Sequence, residues 1–326
     1  SLAEHNATAT ADAAAAVTAA TALINAAGDY TVKGSFGSTT VNIAAGDDAK
    51  TVAQSFNLAA GTTGITAAAI TKAKITAVSA ETYSFTLKGK SDTASTVNAT
   101  VTSATNLTAL KDAINSVSGA TGITAALTED LSGINLVQQD GFDIVVGDVT
   151  SSGSGTMTMG AADKNGDAVS QAAVALGGAT GTDSQVIIGQ ISLSSHKAFT
   201  VTSGNAANHF ATDTAAQTST LQTMGAVDIS SQSGATNALS VIDGAIAMVS
   251  EIRSEMGAAE NRLTSTVDNL SNVSVNTQRS LTAVEDANFA SETSALTKAQ
   301  ILQQAATSML AQANKAKQTM LVLLQG

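Results

Sequence analysis

Chemistry that needs side chains to converge finds little to work with in this chain. The three histidines, His5, His196 and His209, stand far apart, and none falls in a His-x-x-x-His or His-Glu-x-x-His spacing that would set two imidazoles on one helical face. No Gly-x-Ser-x-Gly turn presents a serine nucleophile. Cysteine is absent, which excludes a disulfide, a thiol nucleophile and any thiolate metal site. Asp163-Lys164-Asn165-Gly166-Asp167 has the look of a calcium loop, but it lacks the EF-hand spacing and a bidentate Glu, and it reads as a polar turn. Asp140, Asp143 and Asp148 read as a solvated acidic rim. Asn6, Asn98 and Asn106 each open an Asn-x-Thr triplet, a pattern common by chance. These residues predict no enzyme, no cofactor and no metal centre.

What the chain does carry is apolar spacing. Proline is absent, and from Ala258 to Gln325 there is no glycine either, so a long run lacks any strong backbone breaker. Within it Leu302, Ala306, Met309, Ala313, Ala316, Met320 and Leu323 alternate steps of four and three, an a/d heptad seam made for packing on other helices. An upstream seam runs Leu239, Ile242, Ile246, Val249, Met256, Leu263, Val267 and Leu270, with Arg253 and Glu260 at two further seam positions, where polar groups cost stability and fix register. Small residues in the terminal seam favour close approach of neighbours, since such a helix alone is marginal in water. The same spacing also fits a helical hairpin within one domain. Arg262 either pairs with Glu255 or Asp268 on a neighbouring helix or lies on a solvated face, and Glu285-Asp286 would favour the dipole at the start of a terminal helix.

The elements ahead of the seams have a different grammar. Ser, Thr, Gly and Asn dominate, aromatics make up only 3 % of the chain, and cores must be built from Ala, Val, Ile and Leu. Residues 9–27 are alanine-rich and predict a helix ending near Gly28. Two related units follow. Tyr30, Lys33-Gly34, Phe56-Asn57 and Thr63-Gly64-Ile65-Thr66-Ala67 return as Tyr83, Lys88-Gly89, Ile114-Asn115 and Thr121-Gly122-Ile123-Thr124-Ala125. That self-similarity marks a duplication, each copy reading strand, strand, short helix, strand, with Asn106 as N-cap of the second helix. Leu23-Ile24-Asn25 reads as the tail of an earlier unit. Residues 150–185 read as linker with one short helix. Strand patterns return at Gln185–Leu193 and Ala198–Thr202, with Lys197 near the turn of a hairpin. The resulting division is an Ala-rich segment over 1–28, a domain with two repeats over 29–150, a linker over 151–186, a hairpin and long helix over 187–272, and a terminal helix over 273–326. The fold class is multidomain α+β, with long C-terminal coiled-coil helices and β-rich domains.

Net charge is −11, and nearly all of it lies ahead of residue 236. An acidic chain without a basic patch argues against a nucleic-acid partner and favours solubility of an assembly. The apolar run Met320–Leu324 is too short to span a bilayer, so no membrane partner is expected. Ser1–Ala13 lacks a signal peptide's basic and apolar regions. The first residue is Ser, which predicts a processed or incomplete product.

Four motifs, in order, carry a resemblance to a known family: Val241-Ile242-Asp243-Gly244-Ala245, Met256–Leu263, Val284–Glu292, and Lys298–Ala305 continuing through Met309–Asn314. Residues 231–325 resemble the carboxy-terminal part of bacterial flagellin, the filament subunit. The duplicated units resemble the insert repeats of flagellin outer domains, and Ile191–Thr202 is similar to the hairpin ahead of the C-terminal helix. The resemblance implies a secreted, extracellular, non-enzymatic building block of the bacterial flagellum, polymerising with copies of itself for motility. It implies an inner tube built with the terminal seam, a surrounding layer built with the upstream seam, and repeats that project outward. It also implies O-linked sugars on outer-domain Ser or Thr, an export chaperone, and filament cap and junction proteins as partners. The family's N-terminal helical segment has no counterpart in Ser1–Ala27. The chain is therefore expected to be part of a longer flagellin, or to receive those helices from another chain. A hook–filament junction protein and a surface adhesin or glycan-binding module are the competing readings. The Lys298–Asn314 match argues against the first, and sparse aromatics argue against the second.

Overall fold

The computed structural model describes residues 7–10, 15–16, 28–44, 46–163, 173–177, 182–204, 216–230 and 232–324. They divide into two compact units, Ser1–Val249 and Ser250–Gly326. The elements, in order, are β1 (Ala7–Thr10), β2 (Gly28–Lys33), β3 (Ser38–Ile43), α1 (Ala49–Leu58), α2 (Ala60–Thr63), β4 (Thr66–Thr76), β5 (Thr82–Lys88), β6 (Ser95–Thr100), α3 (Thr108–Ser116), α4 (Ser118–Thr121), β7 (Ile123–Leu127), β8 (Ile134–Gln138), β9 (Ile144–Ser151), β10 (Met157–Ala161), β11 (Val174–Leu176), β12 (Ser184–Ile187), β13 (Gln190–Ser194), β14 (Thr200–Ser203), β15 (Gln217–Thr218) and α5 (Gln232–Leu324).

The first unit is built from three sheets. Their orders are β1-β12-β9-β5-β6, then β11-β10-β4-β8-β7 with β13 also on β4, and β15-β14-β2-β3. Both expected repeats form, each as strand, strand, helix, helical turn, strand. Helix α1 starts where the Asp48 carboxylate accepts from the Thr51 N–H at 2.8 Å, and it buries Ala49, Val52, Ala53 and Phe56 along one stripe. Helix α3 buries Leu110 and Ile114. Its cap differs in detail from the expectation. Leu107 occupies the cap position, and Asn106 serves from one residue earlier, accepting from the Thr108 N–H at 3.1 Å.

The landmark residues of the repeat explain themselves in hydrogen bonds. Asn57 exchanges two bonds with the Ala67 backbone, at 2.9 and 2.8 Å, and Asn115 does the same with Ala125 at the same lengths. Each asparagine thus ties a helix to the strand that follows it. Thr63 and Thr121 donate to Ala59 and Val117 carbonyls and accept from the Ile65 and Ile123 N–H groups. Gly64 and Gly122 end the helical turns with φ of 72° and 69°, the left-handed region that glycine enters without strain.

Two apolar cores result. One gathers Tyr30, Val32, Val52, Phe56, Ile65, Ile191 and Val201, and the other gathers Tyr83, Leu87, Leu110, Ile114, Ile123, Ile134 and Ile144. The strand period of two lets one sheet serve both. On β9, Ile144 and Val146 face one core and Val145 the other; on β12, Ile187 and Val186 divide in the same way.

Three expectations need correction. The alanine-rich stretch read as a helix over 9–27 begins as a strand, because Ala7–Thr10 pairs with Ile187–Ser184, and cross-strand pairing outweighs alanine's local preference. Ala15 and Ala16 are helical, and the remainder, with the supposed tail at 23–25, lies outside the described residues. The stretch 151–186 is no simple linker. Met157, Met159 and Leu176 are fully buried on β10 and β11, a core contribution hidden by surrounding Gly, Ser and Thr; the short helix expected there lies outside the described residues. The hairpin expected over 187–202 does not form. The strand pattern breaks at Gly189, where a Cβ would sit 2.6 Å from Thr71 Oγ1 and 2.7 Å from Ala49 Cβ. Beyond it β13 joins β4, while β14 joins β2 and β15 in another sheet.

Candidate assembly surface

All fifteen seam residues lie on α5, a helix of 93 residues. The boundary expected at 272/273 does not interrupt it. In the heptad row that links the two seams, Ser274, Leu281, Asn288 and Ala295 stand between Val267 and Leu302. The backbone runs straight through, since neither Gly nor Pro stops it. Leu270 and Leu302 are separated by about 48 Å of helix at 1.5 Å per residue. The two seams therefore do not fold back on one another as a hairpin.

The seams are open. Leu239 is 63 % exposed, Met309 73 % and Leu323 81 %, and the other large seam residues are unburied as well. Ala306, Ala313 and Ala316 are exposed between them. Sequence reasoning missed a further set of exposed apolar residues on the same helix, including Val273, Leu281, Val284, Phe289, Leu296 and Leu310. Leu281 and Val284 continue the spacing of the upstream seam, and that was the available signal. An 18-residue window of the helix reaches a mean hydropathy of 1.2, enough by length and composition to cross a membrane. The apolar run Met320–Leu324, expected to be too short to span a bilayer, is far shorter than that window.

Threonine hydroxyls along α5 find their hydrogen-bond partners within the helix. Thr266, Thr277, Thr293, Thr297, Thr307 and Thr319 each donate a hydroxyl hydrogen bond to the carbonyl four residues back, at 2.8–3.0 Å. A threonine satisfied in this way can enter an interface without a new partner. Arg262 forms no ion pair with Glu255 or Asp268 among the described residues, and the salt bridges Lys88–Asp92 and Lys111–Asp112 lie in the first unit.

Among the described residues no group of three or more His, Asp or Glu could hold a metal ion. His5, His209 and residues 164–167 of the calcium-like loop lie outside them. Asp140 and Asp148 are exposed, whereas Asp143 is half-buried. Desolvation pushes its carboxyl up to about 7 against the Gly189 N–H, with Asp48 raising it further and Lys88 opposing.

Comparison with known proteins bears on the same segments. Residues 239–324 match the family described as bacterial flagellin C-terminal helical region, and residues 84–140 match the flagellin hook IN motif. The chain is 34 % identical over 288 residues to the B-type flagellin of Pseudomonas aeruginosa, covering 87 % of this chain and 57 % of that protein. It is 46 % identical over 99 residues to flagellin A of Vibrio cholerae, covering 30 % of this chain and 26 % of that protein. The chain thus spans a little over half of the first relative and about a quarter of the second. Among solved structures, the flagellar cap protein FliD of Helicobacter pylori aligns at 13 % identity and a TM-score of 0.19, over 68 % of this chain and 88 % of that one, which is too remote to bear on the fold. The helix with the open seams and the second β repeat are the stretches the two family models match, and the chain is similar to flagellins over both of them.

Proposed function

We propose that this chain is a structural subunit of the bacterial flagellar filament and polymerises through α5 for motility. One observation carries the reading: a flagellin-type helix leaves two heptad seams uncovered along its length. An apolar stripe of that size is costly in water and gains stability from other helices. Copies of the same chain are the proposed cover, with the terminal seam from Leu302 to Leu323 in an inner layer and Leu239 to Leu270 in a surrounding one. The proposed partners also include N-terminal flagellin helices, an export chaperone that shields α5, and the filament cap and junction proteins. The proposed location is outside the cell, in the flagellum, and the proposed role is mechanical rather than catalytic.

The test is Met309→Asp. A carboxylate in the terminal seam would have to be desolvated when the seam is covered, which costs several kcal/mol unless it is paired. Negative-stain microscopy of the assembling protein should show fibres for the parent and none for the variant, while circular dichroism shows the β-rich unit folded in both. Fibres of normal length from the variant would remove the terminal seam from the assembly.

A further inference from the structure

The first repeat has no partner strands next to it in sequence, and the structure supplies them from more than a hundred residues downstream. In the second repeat, β7 is followed at once by β8, then by β9, which returns to pair with β5. In the first repeat, β4 takes β13 in the place of β8, and β14 returns to pair with β2 in the place of β9. The register agrees across the two. Thr124 and Ala125 oppose Val137 and Leu136, and Thr66 and Ala67 oppose Ser194 and Leu193. Thr124 and Thr66 each send a hydroxyl hydrogen bond of 3.3 Å to the opposing carbonyl, of Val137 and of Ser194. The sequence repeats with it: Ile134-x-Leu136, Phe142 and Ile144 return as Ile191-x-Leu193, Phe199 and Val201. Both cores use matching positions, Phe56 for Ile114, Ile65 for Ile123, Ile191 for Ile134 and Val201 for Ile144.

We propose that residues 28–70 and 190–204 together form a second IN-type unit, a host split open by residues 71–189, which carry the unit matched at 84–140 as a guest. This concerns the fold of Ser1–Val249 and does not rest on the filament reading. The point of entry has the geometry an insertion needs. Ala69 opposes Ile191 where Leu127 opposes Ile134 in the guest. Beyond that pair the guest closes through the short loop 128–133. The host instead leaves through Ile70 and re-enters at its direct partner Gln190, so the two ends of the insert lie about 5 Å apart. A folded module whose ends are that close replaces a hairpin loop without disturbing the strands. Strand β4 is the shared piece. Its first half pairs with β13 of the host, and its second half, from Thr71, pairs with β8 and β10 of the guest.

Hydrogen exchange on the full chain, read by residue, tests the assignment with Phe56→Ala in the host and Ile114→Ala in the guest. Phe56→Ala should speed exchange at Val32, Val52, Ile191 and Val201 together by about tenfold or more, leaving Leu87, Ile123 and Ile134 within about twofold, and Ile114→Ala should do the reverse. Should either variant fail to fold, Val52→Ala and Leu110→Ala pose the same question with a smaller loss. The proposal is overturned if Ile191 and Val201 follow the guest variant, or if both sets of amides move in step with either substitution.

Discussion

Asp143 sits in an environment that its place in the sequence does not reveal. Its carboxyl sits above the ordinary range because burial disfavours the charge, so the folded chain holds that proton more tightly than the unfolded chain does. The stabilisation from the neutral form is complete below about pH 4, the unfolded value, and is lost as pH rises to about 7. Thermal melts of the full chain from pH 5 to 8 should therefore show the β-rich unit weakening with pH. Asp143→Asn should flatten that slope and raise the melting temperature at pH 8, and an unchanged slope would show that another group sets it. Gly89 makes a second residue-scale case. A Cβ there would lie 2.4 Å from the Thr121 carbonyl oxygen, and at its counterpart Gly34 1.8 Å from that of Thr63. Gly89→Ala should cost about 1–3 kcal/mol through a forced backbone shift, measured as a lower urea midpoint. Both glycines were visible as repeat landmarks, yet no spacing rule reveals a close approach between segments. Asp143 was misread because an acidic loop residue looks the same whether or not it is solvated.

At the scale of elements, the legible parts were those fixed by local chemistry. Asn57 and Asn115, Thr63 and Thr121, and Gly64 and Gly122 recur because each closes the same turn between helix and strand, so the duplication could be read directly. The partners β13 and β14 escaped because their match to β8 and β9 is short and lies beyond a whole inserted unit. Pairing with distant strands also converted expected helix to β1 and expected linker to β10. On α5 the seams were legible from their steps, but periodicity carries no mark of where a helix stops. Asn115→Ala removes both bonds to Ala125 and should lower stability by about 1–3 kcal/mol, with the larger loss coming from the unpaired Ala125 groups. Chemical denaturation measures it, and a change below about 0.3 kcal/mol would show that those groups find water instead.

The molecule as a whole divides its labour between an acidic unit with its own buried cores and a nearly neutral helix without one. The two should respond differently to dilution. Amides of α5 beyond Met256 should exchange rapidly in dilute monomer and become protected by orders of magnitude on assembly, while the strands stay protected in both. Equal protection of that segment in the monomer would mean that the helix supports itself and needs no neighbours.

The split host also sets a timetable. Strands β5 through β9 can meet as soon as residue 151 is available, because their contacts close short stretches of chain. Strands β2 and β4 must wait for residues 190–203 to come back across everything in between, a closure that the entropy of the intervening chain opposes until the middle has compacted. The later-made copy is thus expected to compact first and the copy that starts first to be sealed last, an order that pulse-labelled hydrogen exchange during refolding would read.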